Sequence, residues 1–172
     1  MKNKMKIPEG VSVQVGDGVV TVKGPKATLE RKFDSKTVGV STEGTEASVT
    51  LKKKDTRKNR SVVNSIEAHL KNMFEGSTGE FSKKLQIVYA HFPASIELKG
   101  SVVLIKNFLG EKVPRRANVI GSTKVVASGA EIIVSGHDKE AVGQTACNIV
   151  RATHIRHKDV RVFQDGIYYA EQ

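Results

Sequence analysis

The chain of 172 residues contains no tryptophan, one cysteine and only 5% aromatic residues. A single cysteine excludes an internal disulfide framework and suits a reducing cytoplasm. So few aromatic side chains leave little with which to stack a series of splayed bases, as the common single-strand RNA-binding sheet does. The longest apolar runs are far shorter than the roughly 20 residues that span a bilayer, so we expect no membrane partner.

Positive charge is what the chain has in excess. Its 28 Lys and Arg residues outnumber 18 Asp and Glu residues, which gives a formal net charge of +10. A positive field of this size serves the capture of a polyanion rather than folding itself. If about eight cations each replace a counterion, the logarithm of affinity falls against the logarithm of salt concentration with a slope of roughly −6 to −7.

The basic residues concentrate at three places. The densest group, named here the junction cluster, lies between a predicted strand and the following helix and comprises Lys52, Lys53, Lys54, Arg57, Lys58 and Arg60. The other two are the pair Arg115 and Arg116 and the group Arg156, Lys158 and Arg161. For any one cluster a solvated charged face is an equal alternative, but their recurrence favours contact with phosphates.

Enzyme and metal sites find little support in the sequence. His154 and His157 have a spacing that a metal could use, but no nearby cysteine or carboxylate pair completes a four-ligand set. Cys147 has no activating neighbour in its own helical turn, which favours an inert packed thiol. Residues 16–18 precede a strand and lack the lysine of a phosphate loop, so they are interpreted as a hairpin turn. We expect no enzymatic activity, no cofactor and no metal.

The form of the polyanion follows by elimination. Neither predicted helix carries a set of base-reading side chains on a helix-turn-helix frame, so DNA is not the expected partner. Stacking on single strands is disfavoured by the aromatic content. The remaining prediction is a folded RNA, recognised by its shape and its backbone.

An internal repeat organises the chain. The run at residues 47–51, followed by Asp55, has the layout of the run at residues 130–134, followed by Asp138. The alanines that open the two runs are 130 − 47 = 83 positions apart, and the two aspartates are 138 − 55 = 83 positions apart. Residues 18–23 and 101–106 show the same offset. Each repeat is therefore predicted to be one packing unit.

The patterns within each repeat predict strands followed by one helix. Alternating valines and an Asp-Gly turn predict a hairpin over residues 11–23. Asp55 and Asp138 are placed to cap the two helices. In the second helix, Gly143 and Ala146 are expected to allow close approach to a sheet. Residues 160–163 and 167–169 are predicted to be strands that flank a turn at residues 164–166.

The predicted fold class is α+β, a tandem duplication of a small domain, with each copy a mostly antiparallel sheet packed with one helix. Residues 1–6 are predicted to be a flexible N-terminal lead-in with nothing to bury. Residues 7–79 are predicted to form the first repeat and residues 80–172 the second repeat, to which the resemblance described next assigns the main RNA-binding surface.

Three stretches of the second repeat resemble one known family. They are Asn-Phe-Leu-Gly-Glu-Lys-Val-Pro-Arg-Arg at residues 107–116, Ser-Gly-His-Asp-Lys with Val-Gly-Gln-Thr-Ala at residues 135–146, and Lys-Asp-Val-Arg-Val-Phe-Gln-Asp-Gly-Ile-Tyr at residues 158–168. These motifs are similar to segments of the sixth large-subunit ribosomal protein, in its archaeal and eukaryotic form. The tandem repeat matches that family's duplicated domain across essentially the whole chain.

The resemblance implies a non-enzymatic constituent of the large ribosomal subunit in the cytoplasm, monomeric within the ribosome. It implies contact with large-subunit ribosomal RNA near the sarcin-ricin loop and the stalk base, with stalk-base proteins as neighbours and translation factors docking nearby. By the same resemblance, the expected RNA surface comprises Asn107, Phe108, Gly110, Lys112, Arg115, Arg116, Lys139, Gln144, Lys158, Arg161, Phe163, Asp165 and Gly166. Charge reversal at Arg115 and Arg116 is expected to weaken RNA binding and to leave the fold intact.

Some of these residues have an alternative role inside the fold. Phe108 is as well suited to covering its own core as to packing on a ribose or base. Asp165 is favoured as a turn former, because phosphate repels a carboxylate. The first repeat lacks the Arg-Arg loop and is expected to face proteins or solvent more than RNA, although it contains the junction cluster. The alternative function is a free two-domain adaptor whose basic surfaces recruit acidic proteins.

Overall fold

The computed structural model describes residues 2–170 and divides the chain into two compact units, residues 1–80 and 81–172. Met1, Glu171 and Gln172, which the sequence analysis assigned to the lead-in and to the end of the second repeat, lie outside the described residues. In the described part of the chain, neither helix is both long and apolar enough to cross a membrane.

Unit 1 contains two antiparallel sheets and one helix. Its elements are β1 (Lys2–Lys6), β2 (Ser12–Gly16), β3 (Val19–Lys23), β4 (Thr28–Lys32), β5 (Val38–Glu43), β6 (Glu46–Leu51) and α1 (Arg57–Thr78). The two sheets have the strand orders β1-β6-β5 and β2-β3-β4. Helix α1 packs on β6, β3 and β4, so that the core lies between the helix and the sheets.

Unit 2 repeats this plan and adds one strand. Its elements are β7 (Phe81–Val88), β8 (Ser95–Lys99), β9 (Val102–Lys106), β10 (Arg115–Asn118), β11 (Lys124–Ser128), β12 (Glu131–Gly136), α2 (Lys139–Ala152) and β13 (Gly166–Tyr169). The strand orders are β10-β9-β8 and β11-β12-β7-β13, and all pairs are antiparallel. The predicted α+β duplication is therefore confirmed.

The core of each unit follows from the alternation along its strands. Val20 and Val22 of β3 are buried, and Val103 and Ile105 of β9 occupy the same places 83 residues later. Side chains on successive residues of a strand point to opposite faces, so every second residue reaches the core. Burying one such side chain stabilises the fold by about 1.5–3 kcal/mol.

The prediction of a flexible lead-in with nothing to bury is wrong. Lys2–Lys6 forms β1, which pairs antiparallel with β6, and Met5 is 6% exposed in the core of unit 1. The strand was missed because one apolar residue among lysines shows no recognisable alternation. Backbone hydrogen bonds to β6 hold this strand, in which Lys4 and Lys6 are exposed.

The helix ends differ from expectation in one repeat. The cap of α1 is Thr56, whose side chain accepts a hydrogen bond from the amide of Asn59, whereas Asp55 forms an ion pair with Arg60. Asp138 caps α2 as predicted and accepts a hydrogen bond from the amide of Glu140. Two adjacent residues can both serve as caps, and the sequence pattern alone does not choose between them.

Two further details of unit 2 correct the sequence analysis. Ala146 is fully buried as expected, but a Cβ added at Gly143 would meet no atom within 4 Å, so this glycine does not permit a close approach. The strand predicted at residues 160–163 is a turn, in which the amides of Val162 and Phe163 donate to the carbonyl of Asp159. Val160 is 61% exposed, since no neighbouring strand covers it.

Candidate nucleic-acid interface

Three loops of unit 2 contact one another and form what we name the loop surface. They are residues 89–94 after β7, residues 107–114 between β9 and β10, and residues 154–165 between α2 and β13. Asn107 donates through Nδ2 to the carbonyl of Pro93 at 3.1 Å, which joins the first two loops. The ring of His91 stacks on Phe163 with centroids 5.0 Å apart, which joins the first to the third.

The loop at residues 107–114 begins with a tight left-handed turn. Asn107, Leu109 and Gly110 all have positive φ, at 58°, 51° and 77°. Asparagine and glycine tolerate this region, whereas a leucine adopts it at a cost in strain. Phe108 lies between them and is 3% exposed, so its side chain anchors the turn in the core. The alternative reading of Phe108 as a core residue is the one the structure supports.

Arg115 fastens the same loop to the end of α2. Its Nε lies 2.8 Å from Oε2 of Glu111, and its Nη1 donates to the carbonyls of Ala152 and His154 at 3.0 and 3.1 Å. The guanidinium also lies 4.4 Å from the centroid of the Phe108 ring. The hydrogen bonds from Arg115 hold the pKa of Glu111 below its usual range. We therefore expect charge reversal at Arg115 to break these contacts and to disturb the fold, in contrast to the expectation from the sequence.

Asp165 plays the corresponding part for the third loop. It is 2% exposed and accepts hydrogen bonds from the amides of Ala90 and His91, both at 3.2 Å. Nδ1 of His91 lies 2.8 Å from its Oδ1. Burial raises the pKa of Asp165, but these hydrogen bonds outweigh burial and bring the pKa below its ordinary value. Asp165 and the buried Gly166 thus lie inside the unit, not on the surface where the resemblance placed them.

This frame leaves four cations exposed, beside apolar residues such as Val113 and Val160. Lys112, Arg156, Lys158 and Arg161 are exposed on the second and third loops. The amine of Lys158 lies 4.5 Å from the centroid of the half-buried Phe163 ring, so the ring supports the cation at the surface. Asn107 and Gly110 are also exposed. Several cations on braced loops form a surface suited to phosphates.

Three residues of the expected site lie elsewhere in unit 2. Arg116 is exposed on the outer face of its sheet, opposite Leu104 of β9. Lys139 and Gln144 are exposed on α2, and Gln144 donates to Asn148. Lys139 is the first residue of α2, and Arg115 contacts the other end of this helix. The two ends of the 14-residue helix are about 20 Å apart. The structure does not bring Lys139 together with the loop surface.

The junction cluster of unit 1 is exposed, but part of it is already engaged. Lys52 donates to the carbonyl of Ser35, and Lys53 to the hydroxyl of Thr37. Arg60 makes two hydrogen bonds to Asp55. These contacts hold the segment before α1 against the rest of unit 1. They also engage three of the six cations of the junction cluster in hydrogen bonds within the protein. Lys54, Arg57 and Lys58 are exposed beside the first turn of α1, which contains no acidic residue.

The loop at residues 89–94 was not predicted from the sequence to be part of a binding surface. Tyr89, His91 and Phe92 are exposed there, and the ring of Phe92 lies 3.5 Å from where a Cβ of Gly110 would stand. A signal was available, because two aromatic residues and a histidine follow a strand in a chain that is poor in aromatic residues. Among the described residues, no group of three or more His, Cys, Asp or Glu side chains could hold a metal ion.

Comparison with known proteins gives a consistent result. A family model described as Ribosomal protein L6 matches residues 7–79 and 92–166. Large ribosomal subunit protein uL6 of Methanosarcina mazei is 47% identical over 98% of this chain and 95% of that protein. The protein of the same name from Methanobrevibacter smithii is 43% identical over 98% of this chain and 94% of that protein.

Proposed function

The chain belongs to the ribosomal protein L6 family, and from this premise we propose that it is a structural constituent of the large ribosomal subunit that binds the RNA of that subunit through unit 2. The family is structural, and its members are not enzymes. In the finer proposal, the protein lies in the cytoplasmic ribosome near the sarcin-ricin loop and the stalk base. Neighbouring ribosomal proteins and docking translation factors are its further partners.

The observation that carries the proposal is the braced, basic loop surface. Two of the three stretches that resemble the family, residues 107–116 and 158–168, supply two of its three loops. Arg115 and Asp165 hold these loops from within, so little conformational entropy is lost when RNA binds. Lys112, Lys158 and Arg161 then meet phosphates without first being ordered.

The expected mode of binding is recognition of a folded RNA by its backbone. Cations on two of the three adjacent loops can follow a path of phosphates whose spacing is set by the fold of the RNA. Phe92 is 47% exposed and Tyr89 is 52% exposed, which offers an apolar face for a single unstacked base or a ribose. The protein would thus bind one shape of RNA without reading a long sequence.

A double charge reversal tests the surface directly. In Lys112→Glu with Arg161→Glu, two exposed cations of the loop surface become anions, and the formal net charge falls from +10 by 4 to +6. Binding to purified large-subunit ribosomal RNA is expected to weaken at least about tenfold at moderate salt. The matched control is Lys23→Glu with Lys26→Glu, which makes the same change in net charge on exposed residues of unit 1. Equal loss in both variants would assign binding to net charge and contradict a site on unit 2.

Sedimentation of cell lysate separates the proposal from a free two-domain adaptor. A constituent of the large subunit travels with the large particle and is released only when the particle is disrupted. An adaptor that recruits acidic proteins stays near the top of the gradient. Recovery of the chain mainly in the top fractions would favour the adaptor, which the net charge alone also fits.

A further inference from the structure

The sheet β2-β3-β4 of unit 1 ends at β4, and this edge is open. Phe33 donates its amide to the carbonyl of Gly18, and Gly24 donates to the carbonyl of Ala27, so the odd-numbered residues of this segment bond to β3. In an antiparallel pair the residues between them direct their N–H and C=O groups away from the partner strand. Thr28, Glu30 and Lys32 therefore present their backbone groups at the edge.

The corresponding edge of unit 2 is covered by its own helix. Asn148 of α2 donates through Nδ2 to the carbonyl of Asn118, at the end of β10, at a distance of 2.9 Å. The amide of Ile120, two residues further along the same edge, donates to the hydroxyl of Thr145 at 3.0 Å. Two helix side chains thus satisfy the outward carbonyl of Asn118 and the outward amide of Ile120, so α2 covers this end of the edge.

Unit 1 lacks both covering side chains. At the repeat offset of 83, the places of Thr145 and Asn148 are taken by Val62 and Ser65, since 145 − 83 = 62 and 148 − 83 = 65. Valine has no polar group, and the hydroxyl of Ser65 donates to the carbonyl of Ser61 at 2.8 Å, within α1. Neither side chain bonds to β4 in the described structure.

A substitution on the strand keeps α1 away from this edge. Val20 pairs with Arg31 in unit 1, and its counterpart Val103 pairs with Ala117 in unit 2, so Arg31 stands where the other repeat has alanine. The small, 3% exposed Ala117 lets α2 pack closely on β10. Arg31 instead extends toward the helix, where its Nη2 lies 3.1 Å from Nε2 of His69.

Between β4 and α1 there is a groove of about 290 Å³. Its apolar lining is supplied by Val20, Phe33, Val62, Ile66, Leu70 and Met73. Arg31 and Lys32 also line it, and the carboxylate among the lining residues, Asp34, is already hydrogen-bonded by the hydroxyl of Thr37 and the amide of Lys36. The groove is therefore apolar inside, and its rim carries the two cations and one carboxylate, a net charge of +1.

We propose that this edge and groove form a binding site for an extended, acidic segment of another protein, which pairs with β4 as an added strand. A strand in this place directs every second side chain toward α1. One or two large apolar side chains fill the groove, and carboxylates beside them meet Arg31 and Lys32. The choice of a peptide follows from the open backbone groups, and the choice of acidic residues follows from the charge of the rim.

The site is separate from the proposed RNA-binding surface, because all of its residues belong to unit 1. The proposal goes beyond the function given above and does not depend on it. It assigns a protein partner to the repeat that lacks the Arg-Arg loop.

The test uses the full chain and a displayed library of short random peptides. Peptides are selected on the native protein and counter-selected on the double variant Val62→Thr with Ser65→Asn. This variant places in α1 the two residue types that bond to the strand edge in unit 2. Selected peptides are expected to combine acidic residues with a large apolar residue and to bind the double variant at least about tenfold more weakly. In hydrogen exchange, they are expected to slow the amides of Thr28, Glu30 and Lys32.

A second variant guards against a change in the fold of the double variant. The amide of Glu30 points away from β3, so Glu30→Pro removes one outward donor and leaves the β3 pairing in place, as edge strands allow. It too is expected to weaken peptide binding, with an unchanged melting temperature as the control. The proposal is overturned if no peptide distinguishes native from variant protein, if binders lack acidic residues, or if they leave the three amides unprotected. Self-association through this edge, seen as a dimer in sedimentation, would assign it to a second copy and also overturn the proposal.

Discussion

Inward-pointing polar side chains give the loop surface its shape. Arg115 and Asp165 lie in motifs that resemble an RNA-binding family, yet each forms its hydrogen bonds with groups of the protein itself. In the proposed function, their role is to hold in place the loops that carry the cations. The buried charge of Asp165 and the half-buried charge of Arg115 are tolerated here because each of these side chains has several partners.

The pair Arg115 and Arg116 separates support of the fold from contact with RNA. Arg115→Lys cannot reproduce the fork that reaches Glu111 and two carbonyls, so the free energy of unfolding is expected to fall by about 2 kcal/mol. Arg116 is exposed, so Arg116→Lys is expected to change the free energy of unfolding by less than about 0.5 kcal/mol. Urea denaturation of both variants measures the difference. Equal effects would contradict the bracing role of Arg115.

Asp165 gives the fold a dependence on acid. Its folded pKa lies below its ordinary value of 3.8, so its contribution to stability is fully present above that value and is lost as pH falls through the folded pKa. Asp165→Asn is expected to lower the free energy of unfolding by about 1–3 kcal/mol at neutral pH and to have little effect in strong acid. Urea denaturation across this pH range checks the convergence. A difference that stays constant down to strong acid would show that the carboxylate charge is not what matters.

At the scale of elements, the two helices show how one pattern is used in two ways. Both follow a buried strand and an aspartate at the repeat offset, but only Asp138 is a cap. In unit 1 the cap is the next residue, Thr56, and Asp55 forms an ion pair with Arg60. The same divergence appears on the helix faces, where Thr145 and Asn148 cover a strand edge and Val62 and Ser65 do not.

The assignment of the caps can be measured. Thr56→Ala removes the acceptor for the amide of Asn59 and is expected to cost about 1 kcal/mol of stability. Asp55→Ala removes only an exposed ion pair with Arg60 and is expected to cost less than the cap. The two variants are compared by thermal unfolding. A larger loss for Asp55→Ala would restore the aspartate as the cap that the sequence predicted.

At the scale of the whole molecule, the net charge of +10 is spread over both units, whereas the braced loop surface belongs to unit 2. A general positive field speeds capture of RNA, and local contacts decide where it binds. The two effects differ in how they respond to salt, because each phosphate contact releases a counterion.

The salt dependence of RNA binding therefore reports on the number of contacts. For the native chain, the slope of log affinity against log salt is expected to be roughly −6 to −7. Lys112→Glu with Arg161→Glu is expected to make the slope shallower by about 2, while Lys23→Glu with Lys26→Glu leaves it nearly unchanged. Filter binding over a series of KCl concentrations measures all three. Equal slopes would mean that Lys112 and Arg161 do not contact phosphate.

By itself, the sequence determined the duplication, the α+β class and the polyanionic partner. These follow from a spacing of 83, from alternating and helical apolar patterns, and from net charge, all of which are read along the chain. Periodicity also predicted the hairpin over residues 11–23 and one helix per repeat, because side chains in a regular element recur with its geometry. The family motifs led to the prediction that the second repeat carries the RNA-binding loops.

Only the tertiary structure decided which motif residues face outward. Phe108, Arg115 and Asp165 are bound by partners far away in the sequence, and no local pattern encodes which of several polar groups will lie within 3 Å. The strand β1 and the open edge of β4 depend in the same way on what packs beside them. Pairing across a sheet and cover by a helix are contacts between distant residues, so they exist only once the chain has folded.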